Sequence, residues 1–112
     1  MVVREFQVRE GREREFEEVY GFLGGWSEFL AKKQGYVKSE LRCESKANRR
    51  YRLWDFWLSH SDFERFRDEF QADLAEFNRN VEEQGLLEKE ILLGSFYLDE
   101  SGPEDEAGFV PA

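Results

Sequence analysis

The sequence predicts one α+β domain that combines an antiparallel sheet with two helical segments. Four stretches alternate with the two-residue period of a strand, and two stretches repeat their apolar residues every three or four positions, as one face of a helix does. The chain has 112 residues, which is enough for one hydrophobic core and hardly enough for two. We therefore expect a single folded unit.

The four predicted strands are residues 2–8, 36–44, 51–59 and 86–98. The turn S-K-A-N-R-R connects the second strand to the third, and the last strand contains the run I-L-L-G-S-F-Y-L. Each stretch has the residue types of a strand bounded by turn residues.

Two helical segments are predicted between these strands. The first covers residues 12–33, and a Gly-Gly pair at 24–25 makes it either one broken helix or two short helices. The second covers residues 60–83 and follows a capping-box pattern at Ser59-x-x-Asp62. Its apolar stripe consists of Phe63, Phe66, Phe70, Leu74, Phe77 and Val81. The resulting order, βαββαβ, is the ferredoxin-like arrangement, in which the helices cover one face of the sheet.

The third strand carries bulky apolar groups on both of its faces. One face has Tyr51, Leu53, Asp55 and Trp57, and the other has Arg52, Trp54, Phe56 and Leu58. Because helices cover only one face, the second would expose an apolar patch to water unless a partner covers it. The alternation leaves open which of the two faces is the outer one. We therefore predict a homodimer that forms through the open sheet face.

The charge of the chain is unevenly distributed. Its net charge is −9, and the last fourteen residues hold five acidic and no basic side chains, which leaves 20 acidic and 16 basic residues elsewhere. The sequence shows no basic stripe for a phosphate backbone, so we do not expect a nucleic-acid partner. We interpret residues 1–98 as the folded domain and residues 99–112 as an acidic, flexible tail.

The single cysteine, Cys43, and the single histidine, His60, exclude several kinds of site. One cysteine forms no internal disulfide, and the pair is too few for a zinc site of the usual composition. We expect Cys43 to be a small buried apolar residue and His60 to be an exposed turn residue. No run of 18 apolar residues exists, and the start M-V-V-R-E-F lacks the apolar region of a signal peptide. We predict a cytoplasmic protein without a membrane segment.

Three stretches of the sequence resemble a known family. They are F-Q-V-R-E-G-R-E-R-E-F-E near the start, G-Y-V-K-S-E-L-R in the second strand, and R-Y-R-L-W-D-F-W-L-S-H-S-D-F-E-R-F across the third strand and second helix. Together they resemble the antibiotic-biosynthesis monooxygenase-like domain of the dimeric α+β barrel superfamily. The resemblance implies that two ferredoxin-like subunits pack their open sheets together, with the substrate pocket in the barrel between them.

The resemblance also implies a cofactor-independent monooxygenase that acts on a small aromatic, quinol-like substrate. In such enzymes the protein holds or deprotonates a phenol, whose carbanion reacts directly with O2, so no metal, flavin or heme is expected. The site needs an aromatic box and one or two polar groups. We assign Asp55 as the catalytic base, with Glu40 as the alternative base. The predicted substrate contacts are Trp57, Tyr51, Glu40, Tyr36 and Phe6.

Two alternatives stay open at this point. Asp55 is also explained by an ion pair with an arginine such as Arg4 or Arg42, because a buried carboxylate needs a partner. In that case the protein is a non-catalytic, small-ligand-binding or stress-related dimeric module. The heme-degrading branch of the family is not expected, because its Trp and His positions are occupied here by Phe66 and Glu76.

Overall fold

The computed structural model describes residues 1–96 and 109–110. Its strands are β1 (Val2–Val8), β2 (Tyr36–Ser45), β3 (Arg50–Trp57), β4 (Leu87–Phe96) and β5 (Phe109–Val110). Its helices are α1 (Glu13–Tyr20), α2 (Gly25–Leu30), α3 (His60–Glu69) and α4 (Gln71–Glu83).

The strands form one antiparallel sheet in the order β2-β3-β1-β4-β5. The first four strands in that order are the predicted ferredoxin-like sheet, so the predicted fold class is confirmed. The short strand β5 was not predicted. It pairs with the end of β4, Ser95 opposite Val110 and Phe96 opposite Phe109. The rest of the segment predicted as a flexible tail, residues 99–112, lies outside the described residues.

Both predicted helical segments are divided in the structure. The first is interrupted at residues 21–24, where a Cβ atom on Gly24 would lie 2.6 Å from the backbone oxygen of Glu18. The second is interrupted at Phe70, and no Gly or Pro at this position of the sequence indicates a break. Its start is as predicted, since the Ser59 hydroxyl accepts a hydrogen bond from the Asp62 backbone N–H at 3.1 Å. In the described part of the chain, no helix is long and apolar enough to cross a membrane.

The core lies between the helices and one face of the sheet, and it is rich in aromatic rings. Trp57 of β3 packs against Phe66 of α3 with ring centroids 5.0 Å apart, and Trp26 of α2 packs against Phe77 of α4 at 5.2 Å. Phe6 of β1 is fully buried in the same cluster. Such edge-on and tilted ring contacts are the arrangements that aromatic side chains favour.

The structure decides which face of β3 is covered by helices. Tyr51, Leu53, Asp55 and Trp57 are all buried on the helix side. The alternate residues Arg52, Trp54 and Phe56 are half-buried and lie on the open face. Of the four aromatic residues predicted to contact a substrate, Trp57, Tyr51 and Phe6 are buried on the helix side within one subunit, and Tyr36 packs against Trp57.

Candidate functional site

The strongest candidate site is a buried polar cluster around Asp55. Its Oδ1 accepts hydrogen bonds from Trp26 Nε1 at 2.9 Å and from Ser39 Oγ at 2.6 Å. Its Oδ2 lies 3.7 Å from a guanidinium nitrogen of Arg4. Three elements meet here besides β3, because α2 supplies the indole, β2 the hydroxyl and β1 the cation. The carboxylate is only 3% exposed, so these donors replace the water that it loses.

Burial raises the pKa of Asp55 above its ordinary value of 3.8. The positive charge of Arg4 and the hydrogen bonds from Ser39 and Trp26 oppose this rise, since each favours the charged form. Arg4 is itself held among rings, with its guanidinium carbon 4.8 Å from the centre of the Trp26 ring. A second carboxylate, that of Glu90, lies 3.5 Å from Arg4 Nη1. Asp55 is thus a buried carboxyl group with a raised pKa, in a site that also contains the cation of Arg4.

A hydrogen-bonded chain leads away from Asp55. Because the Ser39 hydroxyl has one proton and donates it to Asp55, the Tyr36 hydroxyl at 2.7 Å donates to Ser39. Burial raises the pKa of Tyr36, while its hydrogen bonds with Ser39 and Ser27 oppose the rise. The register of the sheet creates this chain, since Ser39 lies opposite Asp55 and Tyr36 opposite Trp57. The chain connects a buried acid to a half-buried phenol.

An open cleft of about 600 Å³ lies beside this chain. One wall consists of residues 39–43 of the edge strand β2, and Tyr51 of β3 lies behind them. The other wall comes from Glu17 of α1 and from Gly21 and Phe22 in the loop that follows. Ser39 belongs both to the cleft and to the Asp55 cluster. The volume is within the range of about 300–1,000 Å³ for small-molecule sites.

The far end of the cleft has a second polar pair. The Tyr51 hydroxyl donates to Glu17 Oε2 at 2.6 Å, and burial together with this carboxylate raises the pKa of Tyr51. An adjoining cleft of about 290 Å³ shares Glu17, Cys43 and Tyr51 with the first. Cys43 is exposed, so the expectation that it is a buried apolar residue is wrong. It lies on an edge strand that the helices leave uncovered at this point.

The predicted site residues fall into three places. Asp55, Tyr36 and Trp57 lie together, and Trp57 Nε1 is buried without a hydrogen-bond acceptor among the described residues. Tyr51 lines the cleft, whereas Phe6 is a core residue.

Glu40 lines the same cleft, but its carboxylate is held by two cations. It lies 2.8 Å from Lys38 Nζ and 3.8 Å from a guanidinium nitrogen of Arg42. The hydrogen bond from Lys38, followed by its charge, lowers the pKa of Glu40. Because Glu40 follows Ser39 on the strand, its side chain projects to the opposite face. Glu40 is therefore not a second polar contact beside Asp55.

Sequence reasoning named one partner of Asp55 correctly and missed others. Arg4 is its ion-pair partner, as one of the two alternatives predicted, while Arg42 pairs with Glu40. Trp26 and Ser39 were not identified, although Ser39 lies on the apolar side of its strand, which was the available signal. Within the described ranges, no group of three or more Cys, His, Asp and Glu side chains is placed to hold a metal ion.

The structure resembles one that has been solved for an enzyme. It matches the crystal structure of a mutant of SnoaB, a cofactor-independent oxygenase from Streptomyces nogalater, with a TM-score of 0.59 and 20% sequence identity. The match covers 90% of this chain and 92% of that chain. No protein-family model matches the chain, and no curated protein matches it significantly. The likeness noted in the sequence is thereby confirmed at the level of the fold.

Proposed function

We propose that the protein is a cofactor-independent oxygenase that oxidises a small phenolic molecule with O2. The observation that carries the proposal is the position of Ser39, which lines the cleft and donates to Asp55 at 2.6 Å. A ligand in the cleft is thereby one hydroxyl away from a buried carboxylate. The similarity in fold to SnoaB, a cofactor-independent oxygenase, supports this class of reaction.

The proposed reaction begins with removal of a proton from the substrate. A hydroxyl oxygen accepts two hydrogen bonds, so Ser39 accepts one from Tyr36 and one from the phenol. The phenol proton moves to Ser39 Oγ as the Ser39 proton moves to Asp55 Oδ1. A raised pKa suits Asp55 to this step, because a general base works best when its pKa is near the working pH. The nearby Arg4 balances the negative charge of the site.

The electrons for the reaction come from the substrate itself. In an anthrone-type substrate the reacting phenol is the enol tautomer of a ketone whose para carbon is the CH2 group. Removal of the enol proton leaves an anion with carbanion character at that carbon, which transfers electrons to O2 and forms a C–O bond. The resulting hydroperoxide loses water, and Asp55 returns its proton to the departing oxygen through Ser39. One oxygen atom of O2 stays in the new carbonyl group and the other leaves as water, so the CH2 group becomes C=O and the atoms balance.

We propose that the active form is a homodimer joined through the open sheet face. Trp54 and Phe56 lie on this face, where the charged groups of Arg42 and Lys38 pack over them at 5.3 and 5.1 Å from the ring centres. Ile91, the open-face residue of β4, is 37% exposed. A second copy would remove this apolar row from water.

A second candidate function is a non-catalytic module that binds a small apolar ligand. The protein partners of Asp55 favour it, since Oδ1 accepts two hydrogen bonds from Trp26 and Ser39 and Oδ2 forms an ion pair with Arg4. Structural ion pairs perturb pKa values as catalytic sites do. In this case a ligand occupies the cleft and no oxygen is consumed.

Oxygen uptake with a panel of anthrones and hydroquinones separates the two candidates. We expect Ser39→Ala and Asp55→Asn to lower the rate about a hundredfold, the size of a general-base contribution. Glu44→Gln is the matched control, because Glu44 is an exposed carboxylate on the same strand and does not line the cleft, and we expect it to keep the wild-type rate. Rates unchanged by both Ser39→Ala and Asp55→Asn would remove the proposed mechanism. Binding of the panel without oxygen uptake would favour the non-catalytic module.

A further inference from the structure

The loop between α1 and α2 presents two apolar side chains to solvent. Phe22 is 91% exposed and Leu23 is 77% exposed. Phe22 lines the cleft of about 600 Å³, whereas Leu23 does not. A fully exposed phenyl ring at the rim of a cavity is an unfavourable place for an apolar group unless something covers it. Phe22 and Leu23 are thus both exposed, but of the two it is Phe22 that borders the cleft.

The backbone of this loop is tightly constrained. A Cβ atom on Gly21 would lie 2.4 Å from the backbone oxygen of Glu17, and the Gly24 N–H donates to the Gly21 oxygen at 2.9 Å. Between them, Leu23 has a φ of +57°, which is uncommon for a residue with a side chain. Such a conformation persists only where the surrounding structure imposes it. The loop therefore holds Phe22 at the rim of the cleft.

The cleft that Phe22 borders also has a sheet wall, which combines an apolar surface with hydrogen-bond acceptors. Leu41 and the ring of Tyr51 supply the apolar part. The Tyr51 hydroxyl donates to Glu17, which leaves its oxygen able to accept from a ligand. Ser39, four residues before Cys43 on the same strand, offers a second acceptor. A ligand that lies along this wall would present hydroxyl donors to the sheet and a flat face to Phe22.

We propose that Phe22 is a ligand-contact residue that determines specificity for flat aromatic molecules. The ring of the ligand packs between Phe22 and the wall formed by Leu41 and Tyr51, and its hydroxyl groups donate to Ser39 and Tyr51. The inference deepens the proposed function, on which it rests for the identity of the site. The proposed reaction requires Asp55 as the proton acceptor, and the inference adds Phe22 as the residue that binds the aromatic ring.

Binding of 1,8-dihydroxyanthraquinone tests the proposal. This flat phenolic probe lacks the reactive CH2 group and is not consumed, so its Kd can be measured by fluorescence titration. We expect Phe22→Ala to raise the Kd roughly tenfold, because the ring contact and its burial are lost. Phe22→Tyr keeps a ring and should bind within about twofold of the wild type by the same reasoning. Leu23→Ala is the matched control, and we expect it to leave the Kd unchanged.

The outcomes separate this inference from the proposed function. Equal effects of Phe22→Ala and Leu23→Ala, or no binding of the probe to the wild type, overturn the role of Phe22. If an anthrone is oxidised and Phe22→Ala leaves its KM unchanged, the role of Phe22 is overturned while the oxygenase stands. If the probe binds in a manner that depends on Phe22 but no anthrone consumes oxygen, the ligand contact stands and the oxygenase is overturned.

Discussion

Both faces of the sheet contain aromatic and charged residues, but the helix face buries its carboxylate whereas the open face leaves its charged pairs in contact with solvent. On the helix face, Asp55 is 3% exposed and obtains its stability from three fixed donors, those of Arg4, Trp26 and Ser39. On the open face, charged side chains pair in contact with solvent, as Arg52 does with Glu5 at 3.1 Å. Exposed pairs of this kind contribute little, whereas a buried charge without partners is severely unfavourable.

The two faces differ in how strongly a charged side chain on them is perturbed by its surroundings. A charge on the open face interacts strongly with solvent and only weakly with a neighbouring group. A carboxylate enclosed by the helices has a raised pKa, because desolvation outweighs its partners. The helix face therefore contains the carboxylate that we propose as the base, and in that proposal Ser39 on the edge strand connects it to a ligand.

The largest effect that tests this contrast is expected from a charge placed on each face. Leu53→Asp puts an unpaired carboxylate at a fully buried position, and the expected loss is about 5 kcal/mol or more. Since domains of this size have total stabilities of about 5–15 kcal/mol, we expect a largely unfolded protein. Urea unfolding followed by circular dichroism measures the loss.

Trp54→Asp is the matched control on the open face, one position along the same strand. Trp54 is only half-buried, so we expect this variant to stay folded with a loss of no more than about 2 kcal/mol. In sedimentation at micromolar concentration it should run as a 13.4 kDa monomer, whereas the wild type runs as a dimer. A folded Leu53→Asp variant, or a wild type that sediments as a monomer, would contradict these expectations.

A smaller effect is expected when one partner is removed from an ion pair on each face. Asp55→Ala leaves the Trp26 N–H buried without its acceptor and removes one of the two carboxylates beside Arg4, which costs about 3 kcal/mol. Glu5→Ala breaks the open-face pair with Arg52, and the expected loss is below about 1 kcal/mol. Thermal and urea unfolding of the two variants give the comparison. Losses of equal size would show that the Asp55 cluster is no more than a surface ion pair.

The smallest effect is the pH dependence of stability that Asp55 contributes. Its pKa is raised in the folded state from the ordinary value of 3.8, so the folded protein holds this proton more tightly than the unfolded chain does. The contribution of Asp55 to the free energy of unfolding is therefore complete below pH 3.8 and declines as the pH rises through the folded pKa.

Asp55→Asn removes this titration while keeping the shape of the side chain. The free energy of unfolding of the wild type, relative to Asp55→Asn, should thus fall with increasing pH above 3.8. Urea unfolding of both proteins at a series of pH values provides the measurement. A difference that rises with pH would mean that Arg4, Trp26 and Ser39 outweigh desolvation and lower the pKa of Asp55.

The order of the four main strands and the two helical segments follows from local patterns in the sequence. The period-two stretches became β1 to β4, and the stripe from Phe63 to Val81 became the buried side of α3 and α4. The Gly-Gly pair at 24–25 also indicated the interruption of the first helical segment, which lies at residues 21–24 in the structure. These features depend on neighbours within a few positions, because the periods of strands and helices are properties of the local backbone. The prediction of Asp55 as an unusual carboxylate was equally local, since a charge among Leu53, Phe56 and Trp57 stands out in the sequence.

The face of β3 that the helices cover, and the surroundings of Asp55, depend on how distant segments pack together. The alternation of residues 51–58 fits either choice, and the docking of α1 to α4 selected the face of Leu53 and Trp57. The partners Arg4, Trp26 and Ser39 come from three other elements, and their meeting depends on strand register and helix placement. A shift of one residue in β2 would have pointed Glu40 instead of Ser39 toward Asp55. Contacts between distant segments follow from the packing of the whole core, which no local pattern in the sequence encodes.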